Sequence, residues 1–127
     1  MIILINPNLV FQKNDPFTTG VVYMPVGLAY AAAVLNKSGF PIRVIDAFGE
    51  NPGQLERSGK FNILGLTYEE ILFKIPEDSK IIYVYAINLL NHISTVSIIE
   101  NIKLKYPDKI VIVIENTQAV TAYALKK

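Results

Sequence analysis

Four short, unbroken apolar runs constrain this chain more than anything else in it: Ile2–Ile5, Ile42–Ile45, Ile81–Ile87 and Ile110–Ile114. Each is rich in β-branched residues and none alternates with polar ones, so each reads as a strand whose two faces must both be covered. Helical segments lie between them. Val26–Lys37 has Pro25 at its start and Gly39 as its C-terminal cap. Thr67, with Glu70 three residues later, opens a short helix in a capping-box pattern, and Pro76 stops it. Thr95–Tyr106 is a third helix, and Gln118 to Leu125 starts a last one. Strands alternating with helices give parallel pairing and an open, doubly wound α/β sheet.

The connections are read as loops: Asn8–Met24, the polar Gly/Pro-containing stretch Gly49–Gly65, and Asn88–Ser94. With 127 residues the chain is one domain, residues 1–127. In such sheets ligands sit beyond the carboxyl ends of the strands, near the switch in strand order. Those ends are Asn6-Pro7-Asn8, Asp46-Ala47-Phe48, Ile87-Asn88 to Asn91, and Glu115-Asn116-Thr117.

Composition removes whole classes of chemistry. Twelve basic and 11 acidic residues leave a net charge of +1, too little field to steer a nucleic acid. No cysteine is present, which excludes disulfides, a thiol nucleophile and an iron–sulfur cluster ligated by this chain. The single histidine, His92, cannot build a multi-histidine metal site. Ile81–Ile99 is 19 residues without a formal charge, but Asn88, Asn91, His92, Ser94, Thr95 and Ser97 within it oppose a membrane span. With no basic leader before Asn6, a cytoplasmic location is expected.

Familiar site patterns are missing. The loop after the first strand lacks the Gly-x-Gly-x-x-Gly of a dinucleotide fold, and no Walker lysine motif occurs. Asp46 stands where a ribose-binding acid would, although an acid closing a strand is commonly a cap or turn residue. Glu69-Glu70 is a helix start rather than a carboxylate pair, since adjacent helical residues do not face each other. No nucleophile–base constellation is legible, so the isolated chain is expected to catalyse nothing.

Three segments, in order, carry a resemblance: Ile3-Leu4-Ile5-Asn6-Pro7, Pro25-Val26-Gly27-Leu28-Ala29-Tyr30-Ala31-Ala32-Ala33-Val34-Leu35, and Gly39-Phe40-Pro41-Ile42-Arg43-Val44-Ile45-Asp46-Ala47. Gly65-Leu66-Thr67, Glu69-Glu70-Ile71 and Ile75-Pro76 follow. Together they resemble the N-terminal cobalamin-binding domain of radical-SAM enzymes over nearly the whole chain. The resemblance implies a flavodoxin-like (Rossmann-like) three-layer sandwich with strand order 2-1-3-4, and the chain stops where the family continues to a fifth strand. It implies a module holding a corrinoid through Asn6, Pro7, Asn8, Gly27, Asp46, Ile87, Asn88, Asn91, Glu115, Asn116 and Thr117. Methyl transfer or rearrangement would then be carried elsewhere, the iron–sulfur cluster and S-adenosylmethionine belonging to a downstream barrel of a longer chain. The Asp-x-His-x-x-Gly signature of histidine-ligating relatives is absent, and Val113-Ile114-Glu115-Asn116 stands where members have a glycine-rich turn. A Rossmann-like scaffold or interaction domain that binds no corrinoid therefore stays open beside the cofactor reading.

The last feature is a charge pattern. Pro16–Asn36 is 21 consecutive residues without a formal charge, so the helix within it lacks a polar outer stripe. Either the Asn8–Met24 loop folds back over it, or a downstream barrel, a second copy of the chain or a cofactor packs against Val26–Leu35.

Overall fold

The computed structural model describes residues 1–14, 24–86 and 92–115. Its centre is a four-stranded parallel sheet built from β1 (Ile2–Asn6), β3 (Ile42–Asp46), β6 (Ile81–Ala86) and β7 (Ile110–Glu115), in the order β3-β1-β6-β7. This is the expected 2-1-3-4 arrangement of a Rossmann or flavodoxin-like fold. β1 is the inner strand joining the two halves, with Leu4 paired to Val44 on one side and Tyr83 on the other. The helices are α1 (Val26–Lys37), α2 (Tyr68–Phe73) and α3 (His92–Lys105).

Because strand side chains alternate, the sheet has two distinct faces. Ile3, Ile5, Ile45, Ile82 and Val84 meet Ile71 and Ile75 of the α2 segment and Ile98 and Ile102 of α3, forming the core. The opposite face carries α1 and is less covered. Val44, Ile110 and Ile112 stay exposed there among the described residues, contrary to the expectation that both faces of every strand are buried. The helix expected after Gln118 lies outside the described residues.

The chain ends of the helices follow the sequence closely. Glu70 N–H donates to Thr67 Oγ1 (3.2 Å) and Thr67 N–H to Glu70 Oε2 (2.7 Å), completing the capping box. That second bond holds the Glu70 carboxyl below the usual range. α1 closes with Phe40 N–H on Leu35 O (3.1 Å) and Gly39 N–H on Asn36 O (3.0 Å), a Schellman motif.

Three loop expectations, Asn8–Met24, Gly49–Gly65 and Asn88–Ser94, are corrected. Gly49–Gly65 contains a hairpin, β4 (Leu55–Ser58) and β5 (Phe61–Leu64), and β2 (Leu9–Gln12) pairs with β5 to give a second, antiparallel sheet in the order β2-β5-β4. These strands have four residues each, and every residue of β4 is exposed, so no apolar alternation marks them. Gly65 then makes the turn into α2 at φ 108°, where a Cβ would run into the Ala47 backbone. Asn88–Ser94 is the last of them: α3 already includes His92, Ile93 and Ser94. No helix among the described residues is long and apolar enough to cross a membrane.

At the amino edge of the sheet Lys109 is almost wholly buried. Its ammonium donates to the carbonyls of Pro76 (3.1 Å), Glu77 (2.8 Å) and Ser79 (2.6 Å) and to Ser79 Oγ (2.9 Å), and sits 4.9 Å from the Tyr106 ring centre. Among the described residues no carboxylate balances it; oriented carbonyl dipoles replace its water shell. Lys109→Met should lower stability by about 2–4 kcal/mol in urea titrations, because four acceptors lose their donor. Lys109→Arg should not restore it, since a planar fork does not fit a cage shaped around a compact ammonium.

Candidate functional site

The carboxyl ends of β1 and β3 are cross-tied. Asn6 Nδ2 donates to Asp46 Oδ1 (2.8 Å), which also accepts from Gly49 N–H (2.9 Å). Asp46 N–H donates to Glu50 Oε1 (3.2 Å), and Glu50 pairs with Lys74 at 2.8 Å. The Asp46 side chain thus closes the strand as a turn residue and, only partly buried, still presents itself at the edge.

Pro7 and Asn8, next along the chain, point into the protein. Asn8 is fully buried; its Nδ2 donates to Leu66 O (2.8 Å) and its Oδ1 accepts from the Ser94 hydroxyl. One carboxamide therefore joins the exit of β1, the turn before α2 and the first turn of α3. Beside it the Tyr68 phenol is hydrogen-bonded to Ser97 and Ser94, with the Glu56 charge of β4 nearby. Burial outweighs those hydrogen bonds and pushes the phenol above its usual range. This polar cluster was not legible in the sequence, because it joins the exit of β1, the turn before α2 and the start of α3, which lie far apart along the chain.

Gly27 lies on α1, where a Cβ would overlap the Tyr85 hydroxyl of β6, so its missing side chain serves close helix–sheet contact. His92 opens α3, and its Nδ1 is buried without a hydrogen-bond partner among the described residues. Among those residues no group of three acids or histidines is placed to hold a metal. Ile87, Asn88, Asn91, Asn116 and Thr117 lie outside the described residues. Glu115 ends β7, paired with Ala86.

A groove of about 640 Å³ runs between α1 and the edge strand β3. Its walls are apolar (Met24, Val26, Ala29, Tyr30, Ala33, Val44), and Asp46 stands among them as the charged residue. The chargeless run Pro16–Asn36 was the sequence signal for it. The structure thus brings Asn6, Asp46 and the start of α1 to one edge, and turns Pro7 and Asn8 inward.

No family model matches the chain, and neither the curated proteins nor the solved structures give a match.

The raised Tyr68 phenol makes an alkaline prediction. An unfolded tyrosine ionises near 10, while the folded phenol holds its proton, so the unfolded state binds fewer protons above that pH. Stability should therefore be unaffected below about pH 9 and fall as pH rises past 10. Tyr68→Phe should flatten that alkaline fall in thermal melts. Ser97→Ala, which removes a hydrogen bond that favours the phenolate, should move the tyrosinate absorbance change to still higher pH.

Proposed function

We propose that this chain is a corrinoid-binding module of the kind that precedes the barrel of cobalamin-dependent radical-SAM enzymes. The observation that carries the reading is the Asn6–Asp46 pair at the carboxyl ends of adjacent parallel strands, at the edge where open α/β sheets receive ligands. It stands in the same two segments, Ile3–Pro7 and Gly39–Ala47, on which the resemblance rests. Cobalamin is a broad macrocycle fringed with carboxamides, and donors and acceptors along a strand edge suit that fringe.

The described residues fit a corrin laid across this edge. Asp46, half-buried and held in place by Asn6, would meet its amides. They do not fit a tail threaded inward past β1, because Asn8, Leu66 and Ser94 fill that space with bonds to one another. When bound, the cofactor supplies the methyl-transfer or radical chemistry. This chain's residues position it, and the cluster thiolates must come from another polypeptide segment.

A scaffold or interaction domain is the second reading, favoured by one observation. Val113 and Ile114 occupy the end of β7, paired with Val84 and Tyr85, where the resembling family has glycines that let a ligand approach the backbone.

Hydroxocobalamin mixed with the folded chain and passed through gel filtration separates the two. The corrinoid reading expects its visible spectrum to co-elute with the protein. Asp46→Asn should weaken retention about tenfold, the worth of a charge-assisted hydrogen bond. A folded sample that retains nothing at high micromolar cobalamin leaves the scaffold reading.

A further inference from the structure

α1 buries one residue, Leu28, against the sheet. On its other side Val26, Tyr30 and Val34 are 54, 71 and 62% exposed. Spaced by four, they form one continuous ridge of the type that packs into another helix. Surface helices carry charge on this side, but the only charge on α1 is Lys37 at its last position. Met24, Phe40 and Val44 extend the exposed apolar area. These six side chains together offer on the order of 700 Å², close to the roughly 800 Å² per partner of a stable interface.

The ridge is also palindromic: a valine lies four residues before Tyr30 and another four after. A two-fold axis through Tyr30 sets each flanking valine against the other valine of a second copy, so apolar meets apolar at both ends. We propose that α1 is the two-fold interface of a homodimer, its helices antiparallel across an axis at Tyr30. Val26 of each copy then meets Val34 of the other. Each Tyr30 ring enters the other copy's α1–β3 groove, where Ala29 and Ala33 leave room for it. Lys37 falls beyond the last valine contact, so no like charges oppose, and the antiparallel helix dipoles are favourable. A parallel pair would stack both Lys37 side by side.

Sedimentation equilibrium of the 127-residue chain, from low to several hundred micromolar, should approach twice the 14.2 kDa mass of one copy. Tyr30→Glu, at a solvent-exposed site, should keep the far-ultraviolet circular dichroism and weaken association about a hundredfold. The chain has no cysteine, so introduced ones report cleanly. Under mild oxidation Tyr30→Cys should cross-link to itself, and Val26→Cys should cross-link to Val34→Cys far faster than to itself. That cysteine pattern decides the matter even if Tyr30→Glu fails to fold. A wild-type monomer throughout the range, whether because residues 15–23 cover the ridge or for another reason, overturns the proposal. So does a dimer indifferent to Tyr30→Glu, or one in which Val26→Cys joins itself as readily as Val34→Cys.

Discussion

The carboxamide of Asn8 holds together parts of the chain that share no local interaction. Its two partners, Leu66 and Ser94, are 58 and 86 residues away. A buried carboxamide without partners is costly, so the arrangement is close to all-or-none. With both bonds made, the chain leaving β1 is committed to the α2–α3 side of the sheet. β2 can then run antiparallel to β5, and the hairpin is brought over Tyr68 and Ser97. The second sheet is a consequence of where Asn8 is anchored more than of its own strand-forming tendency.

This explains what could and could not be read from residues alone. The parallel sheet was legible because Ile2–Ile5, Ile42–Ile45, Ile81–Ile87 and Ile110–Ile114 carry their burial in their composition. The capping box at Thr67 and the closure at Gly39 were legible because caps are local. β2, β4 and β5 were not. Leu55–Ser58 has one apolar residue and buries none, and its pairing with β5 is set by a turn and by packing contributed from elsewhere. At the site, Asn6 and Asp46 were found from their place at strand ends, a rule of topology. The inward turn of Asn8 has no such rule, since an asparagine in Asn-Pro-Asn looks the same buried or exposed.

The two faces of the sheet are built on different terms. The α2–α3 face is closed by isoleucines contributed by β1, β3, β6, α2 and α3. The α1 face rests on Leu28 and the close contact of Gly27 with Tyr85, leaving apolar side chains on its outer surface. Binding surfaces belong on the second kind of face, because there the apolar area has not already been used in folding.

The caged ammonium of Lys109 bears on how the protein is made. A ribosome delivers the carbonyls of Pro76, Glu77 and Ser79 some 30 residues before the cation that gathers them. Until Lys109 emerges, those carbonyls must stay hydrated, and the amino end of β6 has no neighbour on that side. Lys109 immediately precedes β7, so the residue that organises the turn is also the one that sets the next strand beside Ile81. Vectorial synthesis therefore leaves β6 without its outer neighbour until a single late-arriving charge sets β7 beside it.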